Sequence, residues 1–354
     1  MPSLITLDNL SLNPIEATEL SEAVMEQIFV QGNLAQMFDI STGIQFKKQI
    51  PFISNADESG KTSADCTPPT AGGVTVTQKL WEPVMIEARF EHCQKDLNAL
   101  FKLGQRVAKI NPDFFDKIDS DVFRVLAAKL LDSLTRSVFR IAWFADTAAA
   151  LTSGGGVFLI GTDLELFDQL DGLWKQIFAE VTGDSRITIT ENAEATFALQ
   201  DSELTPDDAK EYLELMWDAA DPRLKADPEV RFYVTESIYE KYSKWLRNKA
   251  ADGGGLTEAT VNGVQNVAFN GKPVMPMYEW DRYIRTYQQN GTKYNLPHRA
   301  LLTIPQNLAL GTTSTEDLEN LESFYDKVTK TNYLDYAYTL DAKFLEAYLA
   351  VVAY

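Results

Sequence analysis

A chain of 354 residues with 45% apolar residues can bury one large core or two ordinary ones, which excludes general disorder. Its 51 acidic residues against 32 basic ones leave a formal charge of -19, and a surface this acidic repels phosphate backbones, which argues against sequence-directed DNA or RNA reading. Cys66 and Cys93 lie in unlike contexts and only two histidines are present, so neither a disulfide framework nor a metal site is expected.

Residues 1–44 read as an arm with one helix after Pro14, in which Ile15, Leu20, Val24, Ile28 and Phe29 fall near helical spacing beside Glu16, Glu19, Glu22 and Glu26. So few apolar residues make no core, and the arm is expected to lie on the rest of the chain or on another copy. Its start lacks the basic region and apolar run of a secretory signal, and no segment is apolar for long enough to cross a bilayer, so a soluble chain made in the cytosol is expected. From Gln45 an extended run holds Phe46, Ile50 and Phe52, Ser54 to Gly73 is rich in small polar residues, and Val74 to Thr77 resumes alternation. This predicts a long hairpin with a polar tip, its second strand continuing from Leu80 to Phe90. A ribbon this narrow is unstable alone, so Phe52 and Trp81 are expected to be covered by another copy.

Asp119 to Asp121 supply an N-cap and acidic first turn for the clearest helix, with Val122, Leu126, Leu130, Leu134 and Val138 at four-residue spacing. No Gly or Pro interrupts it before Gly154, which predicts a spine on the order of 35 Å long. Asp163 to Val181 predicts a second helix around Leu170, Leu173, Trp174, Ile177 and Phe178, whereas Thr188 to Leu199 is ambiguous. Thr205 and Pro206 make a strong helix start. Val230 to Val234 reads as a buried strand, followed by a helix capped by Thr235 that carries Ile238, Tyr239, Tyr242 and Trp245. Short strands are expected at 264–269, 274–277 and 299–304. The tail from Leu318 to Tyr354 is expected to combine a short helix with extended segments rich in tyrosine.

Residues that could do chemistry have simpler readings. The triplets at Gly154 and Gly253 lack the Lys-Ser or Lys-Thr of a phosphate loop and read as hinges. His92 and His298 have no zinc-protease or nucleophile-elbow context. The pairs Asp168 with Asp171 and Asp207 with Asp208 sit at or near helix starts, where negative charge is stabilising. Asn290-Gly291-Thr292 reads as a turn. No catalytic, cofactor-binding or metal-binding residue is assigned, and no cofactor is expected.

In order, the arm, long hairpin, spine helix, mixed middle and strand-rich tail resemble the major capsid protein of tailed phages, the Hong Kong 97-like fold. Local stretches add to the likeness: Asp171-Gly172-Leu173, Arg231-Phe232-Tyr233-Val234 before a Ser/Tyr-rich helix, Phe269-Asn270-Gly271-Lys272-Pro273-Val274, and Asn307-Leu308-Ala309-Leu310-Gly311. The resemblance implies an α+β chain with an N-terminal arm at 1–44, an extended loop at 45–90, a peripheral domain with the spine helix from 91–155 and 320–354, and an axial domain at 156–319. It further implies a non-enzymatic, self-assembling shell of pentamers and hexamers around double-stranded DNA, located in the virion head and assembled in the bacterial cytoplasm. Portal, scaffolding and cement proteins are the implied partners, and a membrane is not. The short arm departs from relatives that carry a removable scaffolding segment; if Met1 is the true start, assembly is expected to depend on a separate scaffolding protein. Lys47, Lys48 and Lys61 lie where some relatives cross-link, although lysine there also serves solubility. The alternatives are an encapsulin-like nanocompartment shell and an acidic α/β hydrolase using paired carboxylates, separable by particle size.

Overall fold

The computed structural model describes residues 36–44, 47–50, 53–56, 74–76, 79–93, 121–251, 258–261, 264–313, 320–326 and 331–354. The arm helix, Phe46, Phe52, Lys61, Cys66 and the Gly253 triplet lie outside them. Along the chain run β1 (Asp39–Ser41), β2 (Lys48–Gln49), β3 (Ile53–Ala56), β4 (Val74–Val76), β5 (Leu80–Trp81), β6 (Val84–Cys93), helices α1 (Asp121–Phe144) and α2 (Leu173–Glu180), and β7 (Arg186–Ile187). Next come α3 (Phe197–Glu203), α4 (Pro206–Ala219), α5 (Pro222–Ala226), β8 (Arg231–Val234), α6 (Glu236–Ala251), β9 (Glu258–Val261), β10 (Val264–Phe269), β11 (Lys272–Pro276) and α7 (Tyr278–Tyr287). The chain closes with β12 (Ala300–Thr303), β13 (Leu308–Gly311), β14 (Asn320–Asp326), β15 (Thr331–Phe344) and β16 (Ala350–Ala353).

Two sheets organise the molecule. A seven-stranded mixed sheet has the order β7-β16-β12-β8-β11-β10-β9. Its central strands are apolar on both faces because both are covered. Tyr233, Leu301 and Val352 point to a core shared with α1, α2 and α7, whereas Phe232, Val234, Leu302 and Val351 point to a second core beneath α4 and α6. The other sheet has five strands, in which β15 pairs antiparallel with β13, β14 and β6, and β1 joins β13 in parallel. The described end of the arm therefore lies on its own chain. β16, from the segment 320–354, sits inside the seven-stranded sheet, so that segment contributes to both sheets.

The spine helix has 24 residues, about 36 Å at 1.5 Å per residue. Leu130, Leu134 and Val138 are buried on its core face, and Trp143 packs edge-on against Trp280, 4.7 Å between centroids. Thr205 forms the expected N-cap, reinforced into a capping box by Asp208. Asn270 (φ 48°) and Gly271 (φ 76°) are both left-handed, as a tight two-residue hairpin between β10 and β11 requires.

Several expectations need correction. The helix expected from Asp163 starts only at Leu173, because Asp163 caps a short 3-10 turn instead and Gly172 brings the backbone against α1. The stretch 188–199 holds a 3-10 turn and the start of α3. α7 was not expected, although Trp280, Tyr283, Ile284 and Tyr287 follow helical spacing. The tail shows strands and a single 3-10 turn among the described residues, since Tyr336, Tyr338 and Leu340 alternate with smaller or polar residues as a strand requires. Trp81, expected to be covered by another copy, is only 2% exposed within its own chain.

Candidate functional site

Most of the polar residues singled out from sequence hold elements together. His298 precedes β12 and is buried; its Nδ1 lies 2.7 Å from Ser237 Oγ and its Nε2 2.7 Å from the carbonyl oxygen of Gln200. Burial pushes the imidazole below its ordinary pKa and so favours the neutral ring, which can donate at Nε2 and accept from the serine at Nδ1. A serine beside a histidine invites a nucleophile reading. Here Ser237 lies in the first turn of α6, its hydroxyl also 3.2 Å from Thr235 Oγ1, and the adjoining cavity is about 40 Å³. That volume is on the scale of a water rather than a substrate. The pair ties α6 to α3 and to the start of β12.

Asp281 on α7 completes this clamp. Its Oδ2 accepts the backbone N–H of Glu236 at 2.7 Å, so a carboxylate from one helix caps the N-terminus of another. Burial raises its pKa to about 6, with Arg285 at 3.8 Å opposing the shift and Glu236 adding to it. The neighbouring Arg299 is fully buried and donates to Gln288 Oε1 (2.6 Å) and to the carbonyls of Leu296 (2.8 Å) and Asn295 (2.9 Å). Phe144, Trp174 and Phe178 surround its guanidinium at 5.2–5.8 Å, and burial lowers its pKa to about 9.

The carboxylate pairs divide their labour similarly. Asp171 accepts from the backbone and hydroxyl of Thr147 (3.0 and 2.6 Å) and pairs with Lys175, which also reaches Asp146. Its neighbour Gly172 packs where a Cβ would stand 2.9–3.0 Å from backbone atoms of Ala145 and Ile141. The Asp-Gly-Leu stretch is thus the joint between spine helix and α2. Asp168 is exposed. Asp208 belongs to the capping box, and Asp207 accepts from Trp245 Nε1 at 3.0 Å. Asn290 closes an Asx turn onto Thr292 and Lys293. His92 pairs by backbone with Asn332 at the end of β6.

The more informative site is the root of the ribbon formed by β2–β5 and β3–β4. Trp81 fills a small core with Ile44, Ile50, Ala309 and Leu345 and lies directly over Gly311, where a Cβ would be 2.6 Å from its ring. Buried Asp341 on β15 accepts the N–H of Glu82 at 2.7 Å. Lys79 binds Glu180 of α2 at 2.6 Å and the Phe344 carbonyl, while Lys47 pairs with Glu82 across the ribbon. Lys48 is exposed on β2 opposite Trp81. Of these, the sequence singled out Ile50, Trp81, Lys47 and Lys48, and Ala309 and Gly311 within the Asn307–Gly311 stretch. Asp341, an acid inside an apolar alternation, was the signal for the rest. The ribbon therefore leaves the body from a fixed base made by both α2 and the five-stranded sheet.

No protein-family model matches the chain, and no curated protein matches it. Solved structures do. A satellite phage P4 procapsid, with size determination protein, aligns at TM-score 0.53 and 10% identity, over 93% of this chain and 97% of that one. A cyanophage P-SCSP1u capsid aligns at 0.47 and 14% identity over 90% and 86%, and the holo-SrpI encapsulin of Synechococcus elongatus at 0.46 and 10% over 97% and 95%. Resting on the first of these, the fold is the Hong Kong 97-like fold of tailed-phage major capsid proteins.

Proposed function

We propose that this chain is a non-enzymatic shell subunit whose function is its surfaces: copies join in closed rings of five and six and enclose double-stranded DNA in a phage head. The observation that carries the reading is the end-to-end likeness to a procapsid subunit, which spans nearly the whole of both chains. The ribbon anchored at Trp81, Asp341 and Lys79 supports it, because a narrow two-stranded projection gains stability by lying on another body. In this reading the part of 45–90 distal to the Trp81 root reaches over a neighbour while 84–90 stay paired with β15, α1 with the five-stranded sheet forms the peripheral part, and the seven-stranded sheet with its helices forms the axial part. Portal, scaffolding and cement proteins would be further partners, with assembly in the bacterial cytoplasm. An acidic wall facing the interior suits DNA that must move past it without adhering.

The test is direct imaging of the purified full-length chain by negative stain, with size-exclusion chromatography. Hollow particles of uniform size are the expected result. A small soluble oligomer that hydrolyses a glycoside or ester, with the activity lost in His298→Ala or Asp171→Asn, would overturn the reading. Particles that hold protein cargo and no nucleic acid would move the assignment to a nanocompartment.

A further inference from the structure

The helical layer over the seven-stranded sheet is charged differently at its two flanks. α4 covers β16 and β7 at one end of that sheet. It turns Asp207, Glu211 and Asp218 to solvent on the face that also carries Leu215, a leucine left 41% exposed. α6 packs over β11, and its outer flank, with Val267 of β10 and Tyr278, lines an open groove of about 750 Å³ on the side away from β7. In this groove Lys241, Lys244 and Arg247 outnumber Asp201 and Glu240, although the chain as a whole carries -19. Lys244 and Arg247 are exposed and have no ion-pair or hydrogen-bond partner among the described residues, and Tyr278 beside them is 57% exposed.

We propose that the α4 face of one copy seats in the α6 groove of the next, with Leu215 against Tyr278 and Glu211 and Asp218 facing Lys244 and Arg247. The two surfaces are complementary in charge, each carries one exposed apolar side chain, and they lie toward opposite ends of a single sheet. Such a contact is heterologous: it repeats head to tail and closes when the rotation allows a ring. The inference rests on the reading of the chain as a shell subunit and names the contact within a ring.

The test is sedimentation velocity on the full-length protein at low and high salt, since exposed charge pairs weaken as salt rises. Lys244→Glu with Arg247→Glu, and separately Glu211→Lys with Asp218→Lys, bring like charges together. Like-charge juxtaposition across an interface costs several kcal/mol, so association is expected to weaken by more than about a hundredfold in each. Combining all four substitutions is expected to restore assembly, and mixing the two double variants in equal amounts is expected to restore association into rings of six, in which the two can alternate. Circular dichroism and the thermal midpoint show that each variant is folded. If the wild type assembles and the double variants assemble equally well, or if neither the combination nor the mixture restores assembly, the contact is wrong and the shell reading stands. Nucleic-acid binding lost on Lys244→Glu with Arg247→Glu while assembly is unchanged would likewise overturn it. A wild-type chain that stays monomeric overturns both.

Discussion

Gly311 lies under the Trp81 ring so closely that even a methyl group has no room. Gly311→Ala is expected to cost about 1–3 kcal/mol as overpacking, read as a lower urea midpoint. Faster proteolysis of the ribbon should accompany it, because the displaced ring is what seats the ribbon. An unchanged midpoint would mean the indole can slide aside. Asp281 gives a pH-dependent prediction. Its folded pKa of about 6 lies above the roughly 3.9 of an unfolded aspartate, so the folded state holds the proton more tightly. Its contribution is fully present below pH about 4 and is lost as pH rises through about 6. Asp281→Asn keeps an oxygen for the Glu236 N–H and removes the ionisation. The variant should gain on the wild type by about 2 kcal/mol between pH 4 and 7. A constant difference across that range in thermal or urea unfolding would show that Asp281 does not titrate there.

At the scale of elements, the spine helix separates core from surface within six residues. Leu130→Ala should cost about 2–5 kcal/mol, because Leu130 is buried at the join of α1 with the sheets. Arg136→Ala should cost less than about 1 kcal/mol, since its side chain is 53% exposed and its ion-pair partner among the described residues is exposed Asp132. Equal losses in denaturant midpoint would contradict this placement. The spine, the start of α4 and strands β8 and β12 were legible because each has a local cause: a four-residue apolar period, a Thr-Pro start, or a short run apolar on both faces. α7 was hidden by its composition, in which Arg282 and Arg285 interrupt the aromatic stripe. Arg299 was not legible as a buried residue, because part of what makes its burial tolerable, the rings of Phe144 and Trp174, lies more than a hundred residues away. The root of the ribbon was half legible for the same reason. Trp81 stands out in sequence, but the glycine and aspartate that receive it lie some 230 to 260 residues further on.

For the molecule as a whole, the fixed base and narrow width of the ribbon separate folding from assembly. Replacing residues 57–73 with a short turn leaves β3 and β4 and the Trp81 seat in place. The variant is therefore expected to keep the wild-type circular dichroism and thermal midpoint while forming far fewer particles by negative stain. Normal particle yield would show that the ribbon tip is dispensable.

β16 has a consequence for the order in which the molecule is made. The strand at 350–353 is interior to the seven-stranded sheet, between β12 and β7, although it comes after the sheet's six other strands in sequence. During synthesis, β8, β11 and β12 can meet while the ribosome is still at work, but β7 cannot reach its place in the sheet until residues 350–353 have left the exit tunnel. A nascent chain therefore displays an unfinished edge at β12 until residues 350–353 emerge, and the long sequence separation of β16 from β7 makes their pairing a late, slow step. Completion of the sheet thereby waits for the last-made of its seven strands.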